Sequence, residues 1–357
     1  MKKIGNSFAG VMIGIIMLIG GSILLWWNEG NNVRNIKTTD ELAKELIDVS
    51  CEEVNKDNEG KLISTNGKIT LSGEVSDYLF GIKVNTAHLK RVVEMYQWIE
   101  EEHTDSDGNT TYDYKKEWKD ELIDSSNYKE YAHKNPSSMS YKSDDFTASY
   151  VRVGAFSLTK DQVLGLATDK EWTLTNEKTL SNMSISGNYM TTTKDINNPQ
   201  VGDVRIKWLY NDWEEASILA KQKGNSFEDY VSKSDKNVNR VEKGILSGNE
   251  IVQKMIAENK MLKWLLRGAG LIIIFIGYLL ILGPITTIAS FVPILGNLVG
   301  GLLAIVSFLV GLVQSLIIIA IAWIRFRPVI GFSLLGGALL LFIIARIMAK
   351  KSSIQKQ

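Results

Sequence analysis

The 357-residue chain is poor in the residues that build catalytic and metal sites. It has a single cysteine, Cys51, which excludes an internal disulfide framework. Its three histidines, His88, His103 and His133, have no HExxH spacing, and with one cysteine they form no zinc pattern. No GxSxG elbow, Walker loop or GxGxxG turn occurs, and no pair of acids stands out as an acid/base couple. Asp105, Asp107 and Gly108 resemble part of a calcium loop. The pattern also needs acids where His103 and Tyr114 stand. No cofactor or metal is expected. Net charge is zero, which argues against a nucleic-acid partner.

The absence with the largest consequence is of negative charge at both ends. No acidic residue precedes Glu29 or follows Glu258. Segments 1–27 and 264–357 hold Lys2, Lys3, Arg267, Arg325, Arg327, Arg346, Lys350, Lys351 and Lys356 and no acid. Subtracting those nine from 40 leaves 31 basic against 40 acidic residues in 28–263, a net charge of −9. An acidic domain joined to apolar, basic-flanked segments is a membrane pattern, because Lys and Arg are favoured beside spans.

Residues 4–27 carry no charge and end in Trp26-Trp27. At ~1.5 Å per residue they reach across a hydrocarbon core of about 30 Å. The run is too long, and ends too bulkily, for a cleaved signal peptide. Further spans are expected at 264–283, 300–324 and 329–349. Segment 284–299 is apolar but carries Pro284, Pro293, Gly296 and Asn297, and reads as interfacial or re-entrant. Lys at both ends places both termini in the cytoplasm, and four spans agree with that count. Arg325 and Arg327 then fall in a non-cytoplasmic turn, against the bias. Small residues at four-residue spacing, Gly10/Gly14, Gly296/Gly300 and Ser333/Gly337, are candidate helix-packing positions.

The fold class expected is α+β, a four-helix integral membrane protein with a β-rich extracytoplasmic domain between span one and spans two to four. Its parts are an anchor (1–27), the outer domain (28–263), three spans (264–349) and a cytoplasmic basic tail (350–357). In the outer domain a short helix is expected over 33–49, with Thr38 and Glu41 as a capping box. Residues 91–99 and 111–123 read as a hairpin turning at Asp107-Gly108. Strands are expected at 62–75, 149–158, 203–210 and 216–222, and a helix near 159–167. Segment 245–266 reads as a helix capped by Ser247 and Glu250 that runs unbroken into the second span.

Several stretches resemble the transmembrane protein 43 (LUMA) family. They are Asn28-Glu29-Gly30 after the first span, RVVEMYQWIEE at 91–101 and YDYKKEWKDELIDSS at 112–126. His133-Lys-Asn135-Pro136, VRVGAFSL at 151–158, Gly202-Asp203-Val204-Arg205 and VPILGN…AWIRFRP over 292–328 complete the set. The residues that carry the resemblance are Asn28, Glu29, Gly30, Tyr96, Trp98, Trp118, Asn135, Pro136, Arg152, Gly154, Pro293, Gly296, Arg327 and Pro328. The resemblance implies four spans, cytoplasmic or nucleoplasmic termini and a lumenal domain. Animal members resemble organisers of the endoplasmic reticulum and inner nuclear membrane that associate with themselves and with lamina proteins. It implies no catalytic residue. The Met-Lys-Lys start and the Lys/Asn/Ile-rich composition point to a microbial member. Its location would be the plasma membrane in a bacterium, and the endoplasmic reticulum or inner nuclear membrane in a eukaryote.

The leading expectation for function is a non-enzymatic membrane organiser that self-associates and binds membrane or extracytoplasmic proteins through its outer domain and packed spans, with lipids around them. The alternative is a channel, transporter or accessory subunit using segment 284–299, since interrupted helices line substrate cavities. A hydrolase on the outer domain ranks third.

Overall fold

The computed structural model describes residues 2–104, 109–175, 179–289 and 295–333, with the side chains of 2–8, 286–289 and 295–299 excepted. It divides into a helical unit, residues 1–40 with 254–357, and a β-rich unit, residues 41–253.

Three long helices build the helical unit: α1 (Lys2–Glu45) and, later in the chain, Gly248–Ala289 and Leu295–Phe326. Each contains a stretch long and apolar enough to cross a membrane. A one-turn helix, α2 (Lys160–Leu164), lies between them in the sequence, so the second and third long helices are α3 and α4. Residues 328–333 are again helical; the rest of the expected fourth span lies outside the described residues.

α1 corrects one expectation. The chain does not stop after Trp27 and restart at 33 with a capping box; it is one helix of 44 residues. Asn and Gly are poor helix formers, and Asn28-Glu29-Gly30-Asn31-Asn32 reads locally as a break. Contacts from distant residues override that preference. Nδ2 of Asn28 donates to the Lys263 carbonyl at 3.1 Å, and Asn35 donates to Oδ1 of Asn259 at 2.8 Å. Thr39 bonds back to the carbonyls of Asn35 and Ile36, inside the helix. α4 begins five residues before the expected span, and α3 continues through Pro284 to Ala289.

α1 and α3 pack antiparallel at glycines. A Cβ on Gly14 would lie 2.6 Å from the Gly277 carbonyl, and one on Gly21 would lie 2.7 Å from Ile274. From the other side, Gly270 faces Leu25 and Gly277 faces Leu18. The spacing is seven residues on both helices, the repeat of a left-handed helix pair. Of the expected pairs, Gly10 lies at the edge of this seam, with the Leu280 carbonyl 3.9 Å from its would-be Cβ. Gly300 has no neighbour within 4 Å among the described residues. Ser333 donates to the Val329 carbonyl of its own helix, and Gly337 lies outside the described residues.

The β-rich unit contains two seven-stranded sheets. In the first, Leu62–Leu71 pairs antiparallel with Glu215–Lys223 on one side and Val151–Val153 on the other. Strand Arg240–Lys243 extends it beside Glu215–Lys223, and Ile47–Asp48 adds a short parallel pair. Ile63, Val153, Phe156, Ile218, Ala220 and Phe227 form its core. In the second sheet the long strand His88–Thr104 lies between Thr110–Lys119 and Val204–Tyr210. Its core holds Val93, Met95, Ile206, Trp208, Phe80 and Met190.

Alternation along His88–Thr104 follows from the two-residue period of a strand. Leu89, Arg91, Val93, Met95 and Gln97 are buried; the residues between them are half-exposed. The two polar members are fully engaged. Arg91 donates to Oδ2 of Asp77 at 2.8 Å, and the indole of Trp208 donates to the same atom at 3.0 Å. Gln97 donates to the Glu121 carbonyl and accepts from the Ile123 amide. The hairpin register, Tyr96 opposite Trp118 and Thr104 opposite Thr110, matches the expected hairpin, whose turn at 105–108 lies outside the described residues. The capping boxes of Thr159 with Gln162 and Ser247 with Glu250 are both formed.

Candidate functional site

In the helical unit one point joins three helices. Glu29, on α1, is about 1% exposed. Its Oε1 accepts from Nε of Arg267 on α3 at 2.7 Å, and its Oε2 accepts from the indole Nε1 of Trp323 on α4 at 2.9 Å. The Arg267 guanidinium lies over the rings of Trp264, at 4.7 Å, and Trp323, at 5.8 Å. Both carboxylate oxygens are thus met by donors, one of them cationic, which offsets the cost of burying the group.

The neighbours of Glu29 in sequence serve the same junction. Asn28 holds the Lys263 carbonyl, one turn before Arg267. Gly30 leaves room for the Phe326 ring, whose Cζ would lie 2.8 Å from a Cβ there, and Phe326 also meets Trp26 at 5.4 Å. Arg327 follows at the end of α4, its amide bonded to the Trp323 carbonyl, just before Pro328. Thus Asn28, Glu29, Gly30 and Arg327, read only as a resemblance in the sequence, come together in space.

Deeper along the same helices, Gln314 accepts from the Tyr278 hydroxyl at 2.6 Å and donates to Oγ of Ser22 at 3.0 Å. Ser22 in turn donates to the Leu18 carbonyl. These polar groups satisfy one another across α1, α3 and α4.

The second constellation lies on the half-exposed face of the long hairpin in the β-rich unit. Tyr96 and Trp118 sit 5.2 Å apart. The Arg205 guanidinium lies over Trp118 at 4.5 Å and over Tyr189 at 4.7 Å, while its Nε donates to Glu94 at 2.7 Å. Lys116 lies over Trp98 at 4.6 Å, and His133 packs edge-on to Trp98 and flat on Tyr114. Asn135 fastens its loop to this face. Its Oδ1 accepts from the Trp98 amide at 2.7 Å and its Nδ2 donates to the Trp98 carbonyl at 2.9 Å. Pro136 lies against Gly202, which is at φ +96° and donates to the Tyr96 carbonyl.

Charges here are tuned locally. Burial pushes the Tyr114 phenol up, and its 2.5 Å bond to Glu100 adds to that. Burial also pushes Glu100 upward, but hydrogen bonds from Tyr114 and from the Lys129 amide outweigh it and leave the carboxyl below its ordinary value.

The remaining motif residues gather in the first sheet. Gly154, at φ +57°, lies against Cys51, and a Cβ there would stand 2.2 Å from the Cys51 carbonyl oxygen. Arg152 donates to the Ala155 carbonyl. Burial raises the Cys51 thiol. Pro293 lies outside the described residues, and Gly296 is placed within α4 by its backbone alone. Among the described residues no group of three or more His, Cys, Asp or Glu could hold a metal ion.

A sequence model of transmembrane protein 43 matches residues 95–328, and a relative in Rattus norvegicus is 30% identical over 97% of this chain and 92% of its own length. The chain belongs to the transmembrane protein 43 family. Transmembrane protein 43 of Homo sapiens is 28% identical over 98% of this chain and 93% of its own length. The homolog in Drosophila melanogaster is 30% identical, covering 91% and 90%. These relatives are animal proteins and lend the expected microbial source no support. No solved structure matches the chain. The family match includes the hairpin face and, in the helical unit, Arg267, Trp323 and Arg327. As a transmembrane protein 43 family member the chain is a multi-pass membrane protein.

Proposed function

We propose that this protein is a non-enzymatic membrane organiser, with both termini in the cytoplasm and residues 28–263 on the far side. It self-associates and binds other membrane or extracytoplasmic proteins through its β-rich unit. The observation that carries this reading is the hairpin face, where Tyr96, Trp98, Trp118 and Tyr189 alternate with Lys116 and Arg205 and remain half-exposed. Aromatic residues and Arg dominate the energetics of protein interfaces, because they combine large contact area with a polar handle. The polar groups of the long helices support the reading too. Glu29 and Gln314 are bonded to side chains of neighbouring helices, which gives the helical unit a fixed surface to present to a partner.

Mild crosslinking in native membranes tests it. Wild type should yield discrete higher-mass species, and Lys116→Glu combined with Trp118→Ala should remove them without lowering expression. Undiminished crosslinking in that variant would refute this face as the interface. Reporter fusions should give cytoplasmic signals at Lys3 and Gln357 and an external signal near Asn109.

A further inference from the structure

Arg325 and Arg327 are out of place by the charge bias of spans, and Glu29 already has its partner in Arg267. The acids of the helical unit are Glu29, Asp40 and Glu258 alone, and segment 334–357 adds none. Around Glu29, positive charge is in excess. Lys263 and Arg267 are four residues apart on α3, hence on one face. Lys263 is within Coulombic reach of Arg267, Arg327 and Lys260, with Glu29 opposing. Nη2 of Arg327 is buried and has no hydrogen-bond partner among the described residues.

The depth of this cluster narrows its ligand. Trp264 and Trp323 lie against the Arg267 guanidinium and Trp26 against Phe326, at the ends of the apolar stretches, and Trp26 and Trp264 are exposed. Trp at such positions marks the level of lipid headgroups. A cation in excess at this level, with an unused guanidinium nitrogen, fits an anionic oxygen acceptor such as phosphate.

The geometry points to a binding site for the phosphate of an anionic glycerophospholipid, held by Lys263 and Arg327 beside the Glu29–Arg267 pair. Arg267 positions the site, since its Nε is committed to Glu29. The acyl chains would lie along the apolar surfaces of α3 and α4, where Leu265 and Ile272, and Ile317 and Ile321, are exposed within about one leaflet's depth of the cluster.

Native mass spectrometry of the full-length protein, with equal phosphatidylglycerol and phosphatidylcholine, tests this. Wild type should retain phosphatidylglycerol in preference. Near a membrane surface each cation contributes about fivefold in binding an anionic lipid, so Arg327→Gln and Lys263→Gln should each lower the preference by roughly that factor. Arg327→Lys should keep part of it. If Arg327→Gln does not fold, Lys263→Gln decides alone. Equal retention of both lipids by wild type, or an unchanged preference in Lys263→Gln, would overturn the proposal. Displacement of bound lipid by millimolar inorganic phosphate would also overturn it, by showing a site for free anions. Self-association, read by crosslinking, is a separate outcome and is not moved by any of these results.

Discussion

The carboxylate of Glu29 meets the guanidinium of Arg267 at 2.7 Å, across 238 positions of sequence, at a point where the carboxylate is almost wholly buried. Removing one member of such a pair leaves the other charged and unsatisfied in a low-dielectric setting. Glu29→Gln should therefore cost about 3–5 kcal/mol, as breaking a buried ion pair does. Glu29→Leu with Arg267→Met should recover most of that loss, because neither charge is left buried. Thermal melting of the detergent-purified protein measures both, and a double variant no better than the single would show that the pair is not the source of the stability.

Gly154 and Gly187 make a matched comparison. Both have φ near +57°, so alanine should cost about 1–2 kcal/mol at either position from the left-handed conformation alone. Only at Gly154 would the new Cβ also collide with the Cys51 carbonyl, while at Gly187 nothing lies within 4 Å. Gly154→Ala should lower the unfolding midpoint well beyond Gly187→Ala, followed by tryptophan fluorescence in urea.

Asn135 holds the loop over the hairpin by three hydrogen bonds to Trp98 and Ile123. Asn135→Ala should cost about 1–3 kcal/mol, because the Trp98 amide loses its acceptor. Proteolysis between residues 124 and 136 should quicken. Asn135→Asp keeps the acceptor and loses the donor, and should fall between the two.

The Tyr230 hydroxyl bonds to Glu41 at 2.7 Å and Glu45 at 2.6 Å, and Lys233 bonds to Glu45 at 2.7 Å. Lys233, then Tyr230, holds the Glu45 carboxyl below its usual 4.5. That contribution is complete above pH 4.5 and is lost as pH falls through the lowered value. Burial, then Glu45 and Glu41, pushes the Tyr230 phenol above 10, so its contribution is complete below pH 10 and is lost as pH rises beyond it. Lys233 is raised above 10.5 by Glu45 and weakens in the same alkaline direction. Hydrogen exchange over residues 226–238 should be slowest between about pH 5 and pH 9, after correction for intrinsic rates. Tyr230→Phe should flatten the alkaline limb.

The sequence determined what depends on neighbours along the chain. Uncharged runs located the three long apolar helices, and the missing acids at both ends marked them as membrane segments. Alternation located the hairpin, with Tyr96 opposite Trp118. Ser247 with Glu250 fixed where α3 begins, because a capping box is a contact over three residues. Tertiary structure decided the rest. It kept α1 helical through Asn28–Asn32, where local propensity favours a break, because Asn28 and Asn35 find partners on α3. It joined Gly14, already a packing candidate at four-residue spacing, to Gly21, Gly270 and Gly277 in a seam of seven-residue spacing. It gave Glu29 to Arg267 and Trp323, and left Nη2 of Arg327 without a partner among the described residues. Composition and periodicity carry no record of such pairings, since each joins positions that only the packing of separate helices brings within a hydrogen bond.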